Sequence, residues 1–269
     1  MIIWIVSYPK SGNTWMRALV STYLYSDKGE FNFNLLQKIP KFTQEKFISP
    51  LVNLKELEKD PLKIAEYWKS AQLRINLDGK IKFLKTHSAC VEYKDKWFTD
   101  ETNTIGYIYI VRDPRAVACS LASHSGISIE KAIDNLLNEN YVGFNGPNKL
   151  AEIPGSWKIN YLSWKKKKKF SGIIIKYEDL IDNAENEFKK VLEFLNKIVE
   201  INIRKEKILK SITSCQFSNL SKMENLHGFE EMGENKFFRK GTKDSWKHEL
   251  NSDLRKKVEE NFKNEMKEL

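Results

Sequence analysis

The chain has 269 residues, 41% of them hydrophobic and 12% aromatic, which excludes wholesale disorder and is enough for one large α/β domain. A formal charge of +9 points toward an anionic partner, whether nucleic acid, an acidic membrane or a phosphorylated small molecule, without choosing among them. No apolar run approaches the roughly 18 residues of a bilayer span, and the three cysteines, Cys90, Cys119 and Cys215, are spaced for neither a disulfide framework nor zinc.

Residues 2–8 are apolar and rich in β-formers, as in a buried strand. From Thr14, apolar residues at 15, 16, 19, 20, 23 and 24 form a helical stripe. Residues 31–75 mix helical and loop signals, punctuated by Pro40, Pro50 and Pro61. "KIKFLKTH" (80–87) reads as a strand with a polar end, and "IGYIYIVRDP" (105–114) is the strongest strand in the chain. Pro114 then opens a helix that carries Ala116, Val117, Ser120 and Leu121 on successive turns. Helices are expected near 128–140, 156–168 and 184–196, a strand at "SGIIIKYEDL" (171–180), and a charged helix over 251–268. Lys165 to Lys169 reads as a solvated helix end. Strands alternating with helices imply a mainly parallel central sheet flanked by helices, and no linker or repeat divides the chain, so a single α/β domain over 1–269 is expected. The first residues, "MIIWIVSYPK", lack a basic leader and meet Pro9 too early for a signal peptide, so the setting expected is cytoplasmic, with no membrane partner.

In "IVSYPKSGNTW" (5–15) the first strand breaks at Pro9 and the helical pattern resumes at Thr14 and Trp15. A strand turning sharply into a helix presents free backbone N–H groups to an anion, and the helix dipole favours negative charge there. Gly12 permits close backbone approach, Ser11, Asn13 and Thr14 offer side-chain donors, and Lys10 adds a full charge. The Walker pattern is absent, because Lys precedes the Gly and no second Gly precedes it. From Tyr8 to Trp15 the loop resembles Y-P-K-S-G-[TN]-T-W, the first loop of the PAPS-dependent sulfotransferases, in particular the cytosolic type and its bacterial relatives. The resemblance implies a P-loop-NTPase-like core whose loop cradles the 5′-phosphosulfate of 3′-phosphoadenosine 5′-phosphosulfate (PAPS).

Two further stretches extend the resemblance. "YIYIVRDPRAVACS" is similar to the family's second region, which implies that Arg112 and Ser120 bind the 3′-phosphate; a planar guanidinium suits a phosphate, and Ser120 lies two helical turns on. "FFRKGTKDSWKHEL" resembles R-K-G-x-x-G-D-W-K, which implies 3′-phosphate contacts from Arg239, Lys240 and Gly241, with Asp244 and Ser245 standing where Gly and Asp are usual. Stacking on an adenine is implied for Trp15, for Tyr177 in "KYEDL" and for Phe217 in "CQFSNLSKME", where Gln216 replaces the family's Ser. "GSWKINYLSW" (155–164) also resembles a family segment, read as structural.

Sulfuryl transfer needs a general base for the acceptor's proton and positive charge for the leaving phosphate. Of four histidines, His87 in "FLKTHSA" matches the family's Lys-Thr-His, where His is the base; His124 is the reserve. Lys10 would meet the leaving phosphate, and Lys85, two residues before His87 on the same strand face, could reach the sulfuryl oxygens. No metal is expected. Residues 218–238 are expected to be a mobile segment closing over the nucleotide. The products implied are adenosine 3′,5′-bisphosphate (PAP) and a sulfated small molecule, whose hydroxyl or amine accepts the group; no nucleic-acid partner is expected. Phe31, Phe33, Tyr141 and Phe144 are candidates for the acceptor pocket that spacing cannot separate from core. A P-loop small-molecule kinase using ATP, with Asp113 as a Walker-B-like carboxylate, is the alternative enzyme, and a basic nucleotide- or RNA-binding protein the non-enzymatic one. The family's short C-terminal dimer motif has no clear match in 247–262, leaving the oligomeric state open.

Overall fold

Ile2–Ser7 forms a strand (β1) buried along its whole length, as expected of a central strand covered on both faces. In this computed structural model, which describes residues 1–145, 150–232 and 234–269, three strands run parallel with it: β2 (Lys82–Thr86), β3 (Thr104–Val111) and β4 (Ser171–Lys176). The order across the sheet is β2-β1-β3-β4. Because successive side chains alternate, Ile2, Trp4 and Val6 join the core on one face while Ile3 and Ile5 join the core on the other.

The principal helices follow in chain order. They are α1 (Asn13–Tyr25), α2 (Trp68–Asn76), α3 (Pro114–Ser125), α4 (Ile129–Leu137), α5 (Trp157–Lys165), α6 (Tyr177–Asp182), α7 (Ala184–Asn196), α8 (Lys205–Ser214), α9 (Phe217–His227) and α10 (Ser252–Asn261). Met16, Leu19 and Val20 of α1 pack with Phe188, Val191 and Leu192 of α7 on the Ile3/Ile5 face. On the other face Trp4 meets Phe42 edge-on, with ring centroids 5.3 Å apart, and Trp68, Trp157 and Trp164 are fully buried. No helix among the described residues is long and apolar enough to cross a membrane.

Several boundaries differ from the sequence expectation. The third strand stops at Val111, because Asp113 leaves the sheet to cap α3 by accepting from the Arg115 N–H. The fourth stops at Lys176, and the apolar pattern that suggested extension to 180 belongs to the short helix α6. In the segment 218–238, expected to close over the nucleotide, the first half is α9, and among the described residues after it Phe238 is buried whereas Glu230, Met232 and Glu234 are exposed. Helix α8 was not expected. The lysine run does begin at a helix end, Lys165, and its members pair with Glu268 and Glu101 and cover the Trp97 ring.

Parallel strands place all their C-terminal ends on one edge. There β1 runs into the loop 8–12, β2 into His87, β3 into Arg112 and β4 into Tyr177. Ligand sites of open α/β sheets form at this edge.

Candidate active site

The loop between β1 and α1 is held by local geometry. Lys10 and Gly12 both have positive φ, 65° and 99°. A Cβ on Gly12 would lie 2.5 Å from Cδ2 of Tyr177, so glycine lets the loop pass under that ring. No side chain caps α1, so the N–H groups of its first turn are left for another partner. Asn13 turns inward and donates to the Ile5 carbonyl at 3.1 Å, while Thr14 faces the cleft.

Apart from Ser11, every residue the sequence assigns to the donor or to catalysis lines one cleft of about 270 Å³. Ser11 is buried, with its Oγ lacking a partner. Arg112 donates to the Lys10 carbonyl at 2.9 Å and to the Thr242 carbonyl at 3.4 Å, with its guanidinium 4.4 Å from the centre of the Tyr177 ring. The Trp15 and Tyr177 rings meet edge-on at 5.9 Å. Gly241, with φ 64°, lies against Phe217 so closely that a Cβ would overlap the ring. Arg239 donates to Glu249 at 2.8 and 3.2 Å, and Lys240 to the same carboxylate at 3.0 Å.

His87 is fixed from three directions. Its Nδ1 lies 2.7 Å from the Ser7 carbonyl, which can only accept, so Nδ1 carries the proton and Nε2 keeps its lone pair. Its backbone N–H donates to Glu152 at 2.9 Å, and its carbonyl accepts from Asn160 at 2.8 Å. Burial, reinforced by Lys85 and Lys41, holds the imidazole pKa well below the usual value, so the ring is neutral.

The two lysines beside it are also shifted. Burial lowers Lys10 to about 7; Arg112 and Lys85 act in the same sense and Glu231 opposes them. Burial lowers Lys85 to about 8, again opposed by Glu231. The Lys10 ammonium sits 3.6 Å from the centre of the Phe237 ring. Glu231 accepts from Arg17 at 2.6 Å and from Thr14 at 3.0 Å, with Lys41 at 3.7 Å and Lys85 at 4.0 Å. Burial pushes this carboxyl up, but Lys85, Arg17 and Lys41 outweigh it and hold the group well below the carboxylate range.

Other sequence candidates are sorted by position. Tyr141 and Phe144 line the cleft, whereas Phe31 and Phe33 pack on each other at 5.6 Å, with Phe33 stacked on Phe229, outside it. His124 lines the cleft with Nδ1 unpartnered, and burial with Lys10 and Lys85 lowers its pKa to about 4. Asp113 binds Arg115 and is not part of the lining. Lys41 and Glu152 were not singled out from the sequence and lie in no local motif; Glu231 and Phe237 fall in the segment 218–238, expected to close over the nucleotide, without a role of their own.

Comparison with known proteins identifies the family and the fold. The sequence pattern of the sulfotransferase domain family matches residues 2–269. A flavonol 4′-sulfotransferase of Flaveria chlorifolia is 25% identical over 96% of the chain and 76% of its own length, and sulfotransferase 2A2 of Rattus norvegicus is 25% identical over 91% and 76%. Among solved structures, retinol dehydratase in complex with androsterone and PAP aligns with a TM-score of 0.66 at 15% identity, covering 98% of this chain and 80% of that one. A mouse sulfotransferase complexed with PAP aligns at 0.61 and 20% identity, covering 98% and 83%. These two likenesses establish the fold, and the match along nearly the entire sequence establishes the family: the chain belongs to the sulfotransferase domain family.

Proposed function

We propose that the protein transfers the sulfuryl group of PAPS to a hydroxyl or amine of a small-molecule acceptor, with His87 as general base. The observation that carries this reading is the orientation of His87: Nδ1–H is tied to the Ser7 carbonyl, leaving a neutral Nε2 in the same cleft as Lys10 and Lys85. The acceptor's proton passes to Nε2 as its oxygen or nitrogen bonds to sulfur, and the bond from sulfur to the bridging phosphate oxygen breaks. Lys10 and the first turn of α1 receive the charge that develops on PAP, and Lys85 holds the sulfuryl oxygens. Arg112, Ser120, Arg239, Lys240 and Gly241 hold the 3′-phosphate, and Trp15, Tyr177 and Phe217 flank the adenine. The similarity to a flavonol 4′-sulfotransferase supports a small-molecule acceptor, as do Tyr141 and Phe144 on the cleft wall.

The test is incubation with labelled PAPS and a panel of phenols, alcohols and amines, with mass spectrometry of the products. Sulfated product that disappears in His87→Ala supports the reading. Phosphoryl transfer from ATP with no sulfuryl transfer from PAPS overturns it in favour of a kinase.

A further inference from the structure

Glu231 lies on a turn in which the Met232 N–H donates to the Phe229 carbonyl at 3.0 Å. Its side chain is 10% exposed and bonds Thr14 and Arg17, with Lys85 and Lys41 beside it. Thr14 and Lys85 are two of the groups assigned above to the donor. A hydroxyl has one proton, so Thr14 cannot donate to Glu231 and to a phosphate at once. Nearby, Phe237 covers the Lys10 ammonium.

We propose that Glu231 is an internal competitor of the donor: its carboxylate holds the place of the donor's anion at Thr14 and Lys85, and nucleotide binding displaces it. The inference rests on the PAPS reading. A buried carboxylate persists only where cations and hydrogen bonds compensate its lost hydration, and Glu231 has both. A donor brings a phosphate and a sulfate to the same groups, so a carboxylate left in place would face like charges at contact distance. After release, Arg17 keeps its bond to the Leu36 carbonyl, 3.1 Å in this structure. Donor affinity is then reduced by the fraction of molecules in which Glu231 occupies the site.

The probe is PAP with the full chain. Titration calorimetry compares the native protein with Glu231→Gln, which keeps the shape and removes the charge; the variant should bind PAP at least about fivefold more tightly. Since removing a negative charge near an anion site tightens binding by itself, amide hydrogen exchange of the native protein supplies the second measurement. PAP should speed exchange at Met232 and at Glu234, whose N–H donates to the His124 carbonyl at 3.0 Å. Slower or unchanged exchange there when PAP binds, or a variant that binds no more tightly, overturns the displacement. Failure of the native protein to bind PAP overturns the donor reading itself, and the inference with it.

Discussion

The Arg112 guanidinium donates to the carbonyl of Lys10 at 2.9 Å, joining the end of β3 to the loop after β1. Its second bond, to the Thr242 carbonyl, adds the Arg-Lys-Gly turn. One planar fork thus holds together the two regions assigned to opposite ends of the donor. An ammonium cannot span both carbonyls, and bonds to a charged group contribute about 1.5–3 kcal/mol each. Arg112→Lys should therefore weaken PAP binding by roughly 10- to 100-fold by calorimetry, and equal affinity would show that this link is not needed.

His87→Ala should lower kcat by about 10²- to 10⁴-fold, the usual contribution of a positioned base. PAP affinity should stay within about threefold, because the open Nε2 faces the reacting group rather than the phosphates. A parallel loss of both would assign His87 to donor binding instead.

Burial lowers the pKa of Lys10 to about 7 and that of Lys85 to about 8. Both ammoniums are stabilised by a bound anion, so their pKa values rise on binding and PAP association takes up protons. Affinity should be highest below pH 7 and fall as pH rises through 7 to 9, by at most about tenfold per pH unit for each group. Calorimetry at pH 6.5 and 8.5, in buffers of different ionisation enthalpy, measures the uptake. Lys10→Arg, charged throughout this range, should flatten the part due to Lys10.

Gly12→Ala should be costly in both stability and binding. The backbone there has φ 99°, and the new methyl would meet the Tyr177 ring at 2.5 Å. Strain of this kind costs about 1–3 kcal/mol, which urea unfolding would register. PAP affinity should fall by more than about tenfold, because any relief moves either the loop or the ring of Tyr177. Unchanged binding would mean that their contact is dispensable.

The strands were legible where a central parallel strand must be apolar throughout, as in β1 and β3. Legibility failed at their ends: Tyr177 extends the apolar run of β4, yet the chain turns into α6 at that residue. Helix α9 was read as part of a loop because Gly228 and the polar residues around 216–227 resemble one, whereas packing of Leu220 into the core stabilises it as a helix; Ile208 does the same for α8. Phe31 and Phe33 show the same limit from the other side, since spacing alone does not distinguish an aromatic under a loop from one facing a ligand.

By itself the sequence determined the strand–loop–helix corner at 5–15, because its apolar strand, its turn residues and its helical stripe all lie within about twenty consecutive residues. It also determined that Lys85 and His87 share a strand end, since that spacing is local. Only the tertiary structure decided which imidazole nitrogen is open, that the Lys10 ammonium is depressed to about 7, and that Glu231 stands among Arg17, Lys41 and Lys85. The first depends on a carbonyl 80 residues away, the second on burial, and the third on an ion pair spanning 214 residues. Desolvation and long-range contact exist only once the chain is packed, and no stretch of sequence carries them.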